Sequence, residues 1–63
     1  MADKVWIVQY QTFEDVINNT WTLNMRYPDD ENGAYSDYEQ LKRAFMHVRI
    51  GYEVTTMHWE EWS

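Results

Sequence analysis

A chain of 63 residues without cysteine forms one small domain, and disulfide staples and thiolate metal sites are excluded. Eleven acids against five bases leave a net charge of −6, which repels phosphate backbones and anionic lipid and so disfavours direct binding to nucleic acid or membrane. The stabilising material is aromatic: four tryptophans, five tyrosines and two phenylalanines bury large areas at little cost in side-chain entropy.

The opening stretch MADKVWIVQYQ has neither the basic region nor the small-residue cleavage site of a signal peptide, and no apolar run approaches the ~20 residues of a membrane span. A soluble protein of the cytoplasm is the expectation, in the host cell if the chain is viral. KVWIVQYQTF predicts a first strand. Trp6, Val8 and Tyr10 line one side and Val5 and Ile7 begin the other, so the strand is expected at the centre of its sheet or covered on both faces. EDVINN supplies turn formers, with Asn18-Asn19 suited to a tight turn, while Val16 and Ile17 imply a connection longer than a simple hairpin. TWTLNMRY alternates with period two, placing Trp21, Leu23, Met25 and Tyr27 on one face of a second strand.

A helix is expected over residues 37–49. Ser36 followed by Glu39 forms a capping-box pattern, Asp37 and Glu39 suit the positive end of the helix dipole, and Gly51 is the stop. Tyr38, Leu41, Ala44, Phe45 and Val48 give its apolar stripe. YEVTTMHWEEWS reads as a third strand whose parity change implies either a bulge near Thr55-Thr56 or partial cover on both faces. The predicted architecture is α+β: a three-stranded, mainly antiparallel sheet with one helix packed on one face. The element order is strand-strand-helix-strand and the spatial order 2-1-3. Trp6, Trp21, Phe45 and Tyr10 are the expected core.

The stretch PDDENGAYSDYEQ carries Asp29, Asp30, Glu31, Asp37 and Glu39 with no lysine or arginine among them. Aligned as a calcium loop on Gly33, it puts Pro28 at the first ligand position and a strand where a helix is required. No hydrolase elbow, Cys-His pair or phosphate-binding glycine loop occurs, and neither His47 nor His58 has a partner at metal-ligand spacing apart from Glu60, two residues beyond His58. No enzyme, metal or cofactor is expected. Asp37 and Glu39 have a structural task at the expected helix start, whereas Asp29, Asp30 and Glu31 have none. Tyr35 and Tyr38 lie among these acids, as Trp59 and Trp62 lie among Glu60 and Glu61. Tyrosine and tryptophan are common interface anchors, and an acidic rim suits a basic protein partner. An ordinary solvated acidic face is the competing reading.

The run GYEVT (Gly51 to Thr55), expected to follow a helix and open the last strand, together with VWIVQY as first strand and Met57 in the last, resembles the small RNA polymerase inhibitors of T-odd short-tailed coliphages. That resemblance implies a strand-strand-helix-strand fold that binds the polymerase jaw and blocks DNA handling. The family's last-strand arginines contribute to polymerase binding and are replaced here by Thr56 and His58. What the resemblance then implies is a compact acidic inhibitor of the phage type that works by protein contact. The chain is expected to be a monomer or dimer, and its charge adds the expectation that its carboxylates mimic DNA charge on the basic surface of a host nucleic-acid-processing enzyme. Such a target could be an RNA polymerase or a CRISPR, restriction or repair enzyme. A small structural or assembly protein that associates through its sheet edge is the alternative.

Overall fold

The computed structural model describes residues 4–62. In chain order the elements are β1 (Val5–Tyr10), α1 (Phe13–Asn18), β2 (Thr22–Pro28), α2 (Glu31–Leu41), β3 (Val48–Glu53) and β4 (Met57–Trp62). The sheet is antiparallel throughout, with strand order β2-β1-β3-β4. The α+β class therefore holds and β1 lies inside the sheet as expected. The 2-1-3 order does not hold for the strand it named: the neighbour of β1 opposite β2 is β3, expected largely as the end of the helix, while most of the expected third strand is β4 at the edge, so the sheet has a fourth strand and the chain a second, short helix.

β1 is central, as its two apolar faces require. Trp6 and Val8 face α2 and form the core with Ala34 and Tyr38 of that helix and Val48 and Ile50 of β3. Ile7 lies on the opposite face, also buried, between Arg26 and Gly51 in the ladder. Tyr10 and Phe45 stack with centroids 4.2 Å apart beside the core. Trp21 is not part of it.

The β1–β2 connection is longer than a hairpin because it contains α1. Thr12 caps that helix reciprocally with Asp15, and Asn19 ends it in the left-handed conformation (φ 56°). The Asp15 carboxylate gathers the connection, accepting from the Thr12 amide (3.0 Å), Thr20 Oγ1 (2.8 Å) and Thr22 Oγ1 (2.6 Å). These bonds, the Thr12 amide first, hold its pKa down from 3.8 to about 2. A carboxylate with a depressed folded pKa stabilises the fold above its unfolded value and loses that contribution as pH falls through the folded one. Urea titrations between pH 7 and pH 2 are expected to show Asp15→Ala less stable than wild type at neutral pH. The gap should close toward pH 2. A gap independent of pH would mean that the carboxylate charge is not what matters.

α2 begins and ends earlier than expected. Asp30, not Ser36, is its N-cap, accepting from the Gly33 amide at 3.0 Å. A Cβ at Gly33 would overlap the Asp30 carboxylate, so the glycine makes room for the cap. Ser36 lies inside the helix. Both residues are competent caps. The earlier start is selected because it turns Ala34 and Tyr38 onto the sheet. After Leu41 the chain turns through residues 42–44, since Val48 and Ile50 are taken by the ladder against Tyr10 and Val8. Gly51 is consequently no helix stop: it sits inside β3, opposite Ile7 and Trp59.

The expected last strand is a hairpin. Residues 54–56 turn, with the Val54 amide donating to the Thr56 carbonyl at 3.2 Å, and β4 returns antiparallel to β3. Ser63, the last residue of the expected strand, lies outside the described residues. GYEVT therefore spans the end of β3 and the turn and does not open the final strand. A bulge does exist, at Glu60: Ile50 pairs with Glu61 and Gly51 with Trp59. A second bulge lies at Asn24, where Val8 pairs with Met25 and Gln9 with Leu23. Each bulge inserts a residue and flips the alternation beyond it. Trp21 and Leu23 thus share a face with Gln9 and Arg49, opposite to Met25 and Tyr27.

Candidate functional site

The acids divide by position into those with local tasks and those that gather across elements, and the division inverts the sequence-based one. Asp29 adopts φ 52° and closes the β2–α2 turn onto Lys4, accepting from its amide at 3.2 Å and donating to its carbonyl at 2.8 Å. Asp30 caps α2. Glu39 forms an exposed i,i+3 ion pair with Lys42 at 3.8 Å, worth little in water. Asp37 is half-buried in mid-helix and bridges to β2, accepting from Asn24 Nδ2 at 2.6 Å and lying near the Tyr27 hydroxyl.

Three of the remaining acids gather at Tyr35: Glu61 lies beside its hydroxyl, and Glu60 and Glu31 stand close enough to act on it. Burial first, then these three carboxylates, raise the Tyr35 pKa. Tyr27 is shifted the same way by burial, then by Asp37 and Asp30. The first turn of α2 and the end of β4, thirty residues apart in sequence, are thereby joined in one acidic surface. It continues over α2 to β2. Tyr27 was missed in the sequence because it fell in an alternating apolar register; only its phenolic tip marks it as a group that seeks a polar partner.

Two expected contact residues take other roles. Tyr38 is 2% exposed and belongs to the core, with Lys42 Nζ 5.1 Å from its ring centroid, so a surface contact is closed to it. Trp59 is half-buried over Gly51, while Trp62 is 59% exposed. Both belong to a cluster on the sheet face away from α2. The Arg49 guanidinium lies 3.7 Å from the ring centroid of Trp59, 4.2 Å from Trp21 and 5.1 Å from Trp62. Arg49 Nε donates to Gln9 Oε1 at 2.8 Å, and burial lowers the guanidinium's pKa. Such cation–π contacts hold a charge against indole faces. Lys4 is likewise drawn over Tyr52, 4.5 Å from its centroid. Three of the five bases thus rest on aromatic rings, and the only ion pair among the described residues is Glu39–Lys42. Apart from Lys42 beside Glu39, no ion pair among the described residues offsets the acidic surface. Trp21 and Arg49 were not foreseen, because Trp59 and Trp62 share a face only through the Glu60 bulge.

Between α1 and the 42–47 turn lies an apolar cleft of about 500 Å³, lined by Phe13, Val16, Phe45 and Met46 among others. Among the described residues no group of three or more His, Asp or Glu is arranged to hold a metal ion, and no helix is long and apolar enough to cross a membrane. Comparison with protein-family models, curated proteins and solved structures returns no match to this chain.

Proposed function

We propose that this chain is a small acidic inhibitor of the phage type, which binds a host nucleic-acid-processing enzyme on the basic surface that receives its nucleic acid. The observation that carries this is the convergence of Glu31, Glu60 and Glu61 on Tyr35, from elements distant in sequence. Carboxylates fixed on a folded surface compete with phosphates for a basic groove and raise the association rate, while a half-buried tyrosine supplies short-range affinity. Five bases against eleven acids leave this field uncancelled. An RNA polymerase or a CRISPR, restriction or repair enzyme offers such a groove, and the site of action would be the host cytoplasm. A second reading, an assembly protein, is favoured by Phe13 and Met46, which are 82% and 84% exposed beside the apolar cleft.

The test is displacement of fluorescent duplex DNA from purified enzymes of these four classes, followed by surface-plasmon kinetics on any that respond. The triple variant Glu31→Gln, Glu60→Gln, Glu61→Gln is expected to associate about 10-fold more slowly and with a flatter salt dependence. Tyr35→Ala is expected to dissociate roughly 30-fold faster, the equivalent of about 2 kcal/mol. No displacement from any enzyme, together with a large stable oligomer in light scattering, would favour assembly. An unchanged association rate for the triple variant would reduce the acids to solvation.

A further inference from the structure

β4 is an edge strand. It pairs with β3 on one side, and on the other the N–H and C=O groups of alternate residues face outward, as on any edge. Its two faces differ in chemistry. Glu61, with Glu60 at the bulge, lies on the α2 side, against Tyr35. Met57, Trp59 and Trp62 lie on the other side, with Trp62 largely exposed.

A strand added beyond β4 would therefore place alternate side chains beside two glutamates and the intervening ones beside indole rings. We propose that β4 is the docking edge for an extended segment of a partner protein in which basic and apolar residues alternate. The proposal rests on the basic-partner reading above and names its docking mode. Main-chain pairing supplies affinity in such β-augmentation, and the alternating side chains supply specificity. Charge selects this occupant over a second copy of the chain. Two copies of this chain each carry a net charge of −6 and repel one another, and in a full antiparallel overlap of two β4 strands Glu61 would meet only His58 and Glu60 only Trp59, so neither glutamate gains a permanent cation. A lysine- or arginine-bearing strand turns the same glutamates into attraction. The opposite edge, β2, is a poorer acceptor: Pro28 lacks an amide donor and Arg26 repels a basic strand.

The probe is an acetylated, amidated eight-residue peptide of alternating valine and lysine, titrated into the full chain with amide shifts followed by NMR. Two derivatives are run beside it, one N-methylated at every valine and the other at every lysine. Alternate amides point to opposite edges of a strand, so each derivative keeps one edge intact. The parent is expected to perturb residues 57–62 and not 22–28. One derivative should bind within about 3-fold of the parent and the other at least 10-fold more weakly, and Glu60→Gln, Glu61→Gln should weaken the parent. If both derivatives bind as the parent does, edge pairing is overturned while a charge-only contact stands; if both fail, docking through a single strand edge is overturned and charge alone does not account for the parent's binding. If the parent does not bind even at low salt, the basic-partner reading falls as well. Dimerisation of the chain through residues 57–62 at micromolar concentration would overturn the proposal in favour of a second copy.

Discussion

Tyr38→Ala is expected to leave the chain largely unfolded at 25 °C, whereas Tyr35→Ala, one helical turn away, keeps the fold. Tyr38 is among the largest fully buried side chains and packs in the cluster of Trp6, Val8, Val48 and Ile50. Truncating a buried aromatic residue costs about 3–5 kcal/mol, in transfer free energy and in the cavity left behind. A core in a domain of this length rarely supplies more than ~3–5 kcal/mol in total. The single substitution is thus comparable to the whole stability. Far-ultraviolet circular dichroism with urea titration measures it. A Tyr38→Ala protein melting cooperatively near the wild-type temperature would mean that α2 does not dock through this ring. The pair also separates core from contact surface: Tyr35→Ala loses ring contacts with Trp6 and Tyr38 and should lower the melt while leaving a folded chain whose binding kinetics can be read.

Gly51→Ala is expected to open the β3–β4 hairpin. The new Cβ would overlap the His58 carbonyl oxygen and stand 2.7 Å from Trp59 Cε3. The first obstacle is backbone and cannot swing away. Overpacking of this kind costs about 1–3 kcal/mol, which in a domain of this size lowers Tm by roughly 5–20 °C. The loss should be local. In hydrogen exchange, amides of residues 57–62 should lose protection while β1 and β2 retain theirs. Because β4 carries Glu60, Glu61, Trp59 and Trp62, the variant should also release Arg49 from two of its three rings and separate Glu61 from Tyr35. Intact protection over residues 57–62 would show that β4 can shift to accommodate a side chain there.

Composition and alternation determined much of this protein. Val5 to Tyr10 is apolar on both faces, which favours the interior of a sheet, so its central place was legible, whereas the strand that lies beside it after the helix reads largely as helix. So was the unbalanced charge, because no arrangement of five bases neutralises eleven acids. The tertiary structure decided what local signals left degenerate. Asp30 and Ser36 cap a helix equally well, and only packing of Ala34 and Tyr38 on the sheet selects the first. Val48 and Ile50 fit the apolar stripe of a helix as readily as a strand, but as partners of Tyr10 and Val8 they complete the core and end the helix early. The two bulges leave no local mark, since a single inserted residue changes parity without changing composition. Yet they place Trp21, Trp59 and Trp62 around Arg49, and the Glu60 bulge sets Glu60 and Glu61 beside Tyr35. Which acids act together followed from strand register, a property of paired strands that neither strand carries alone.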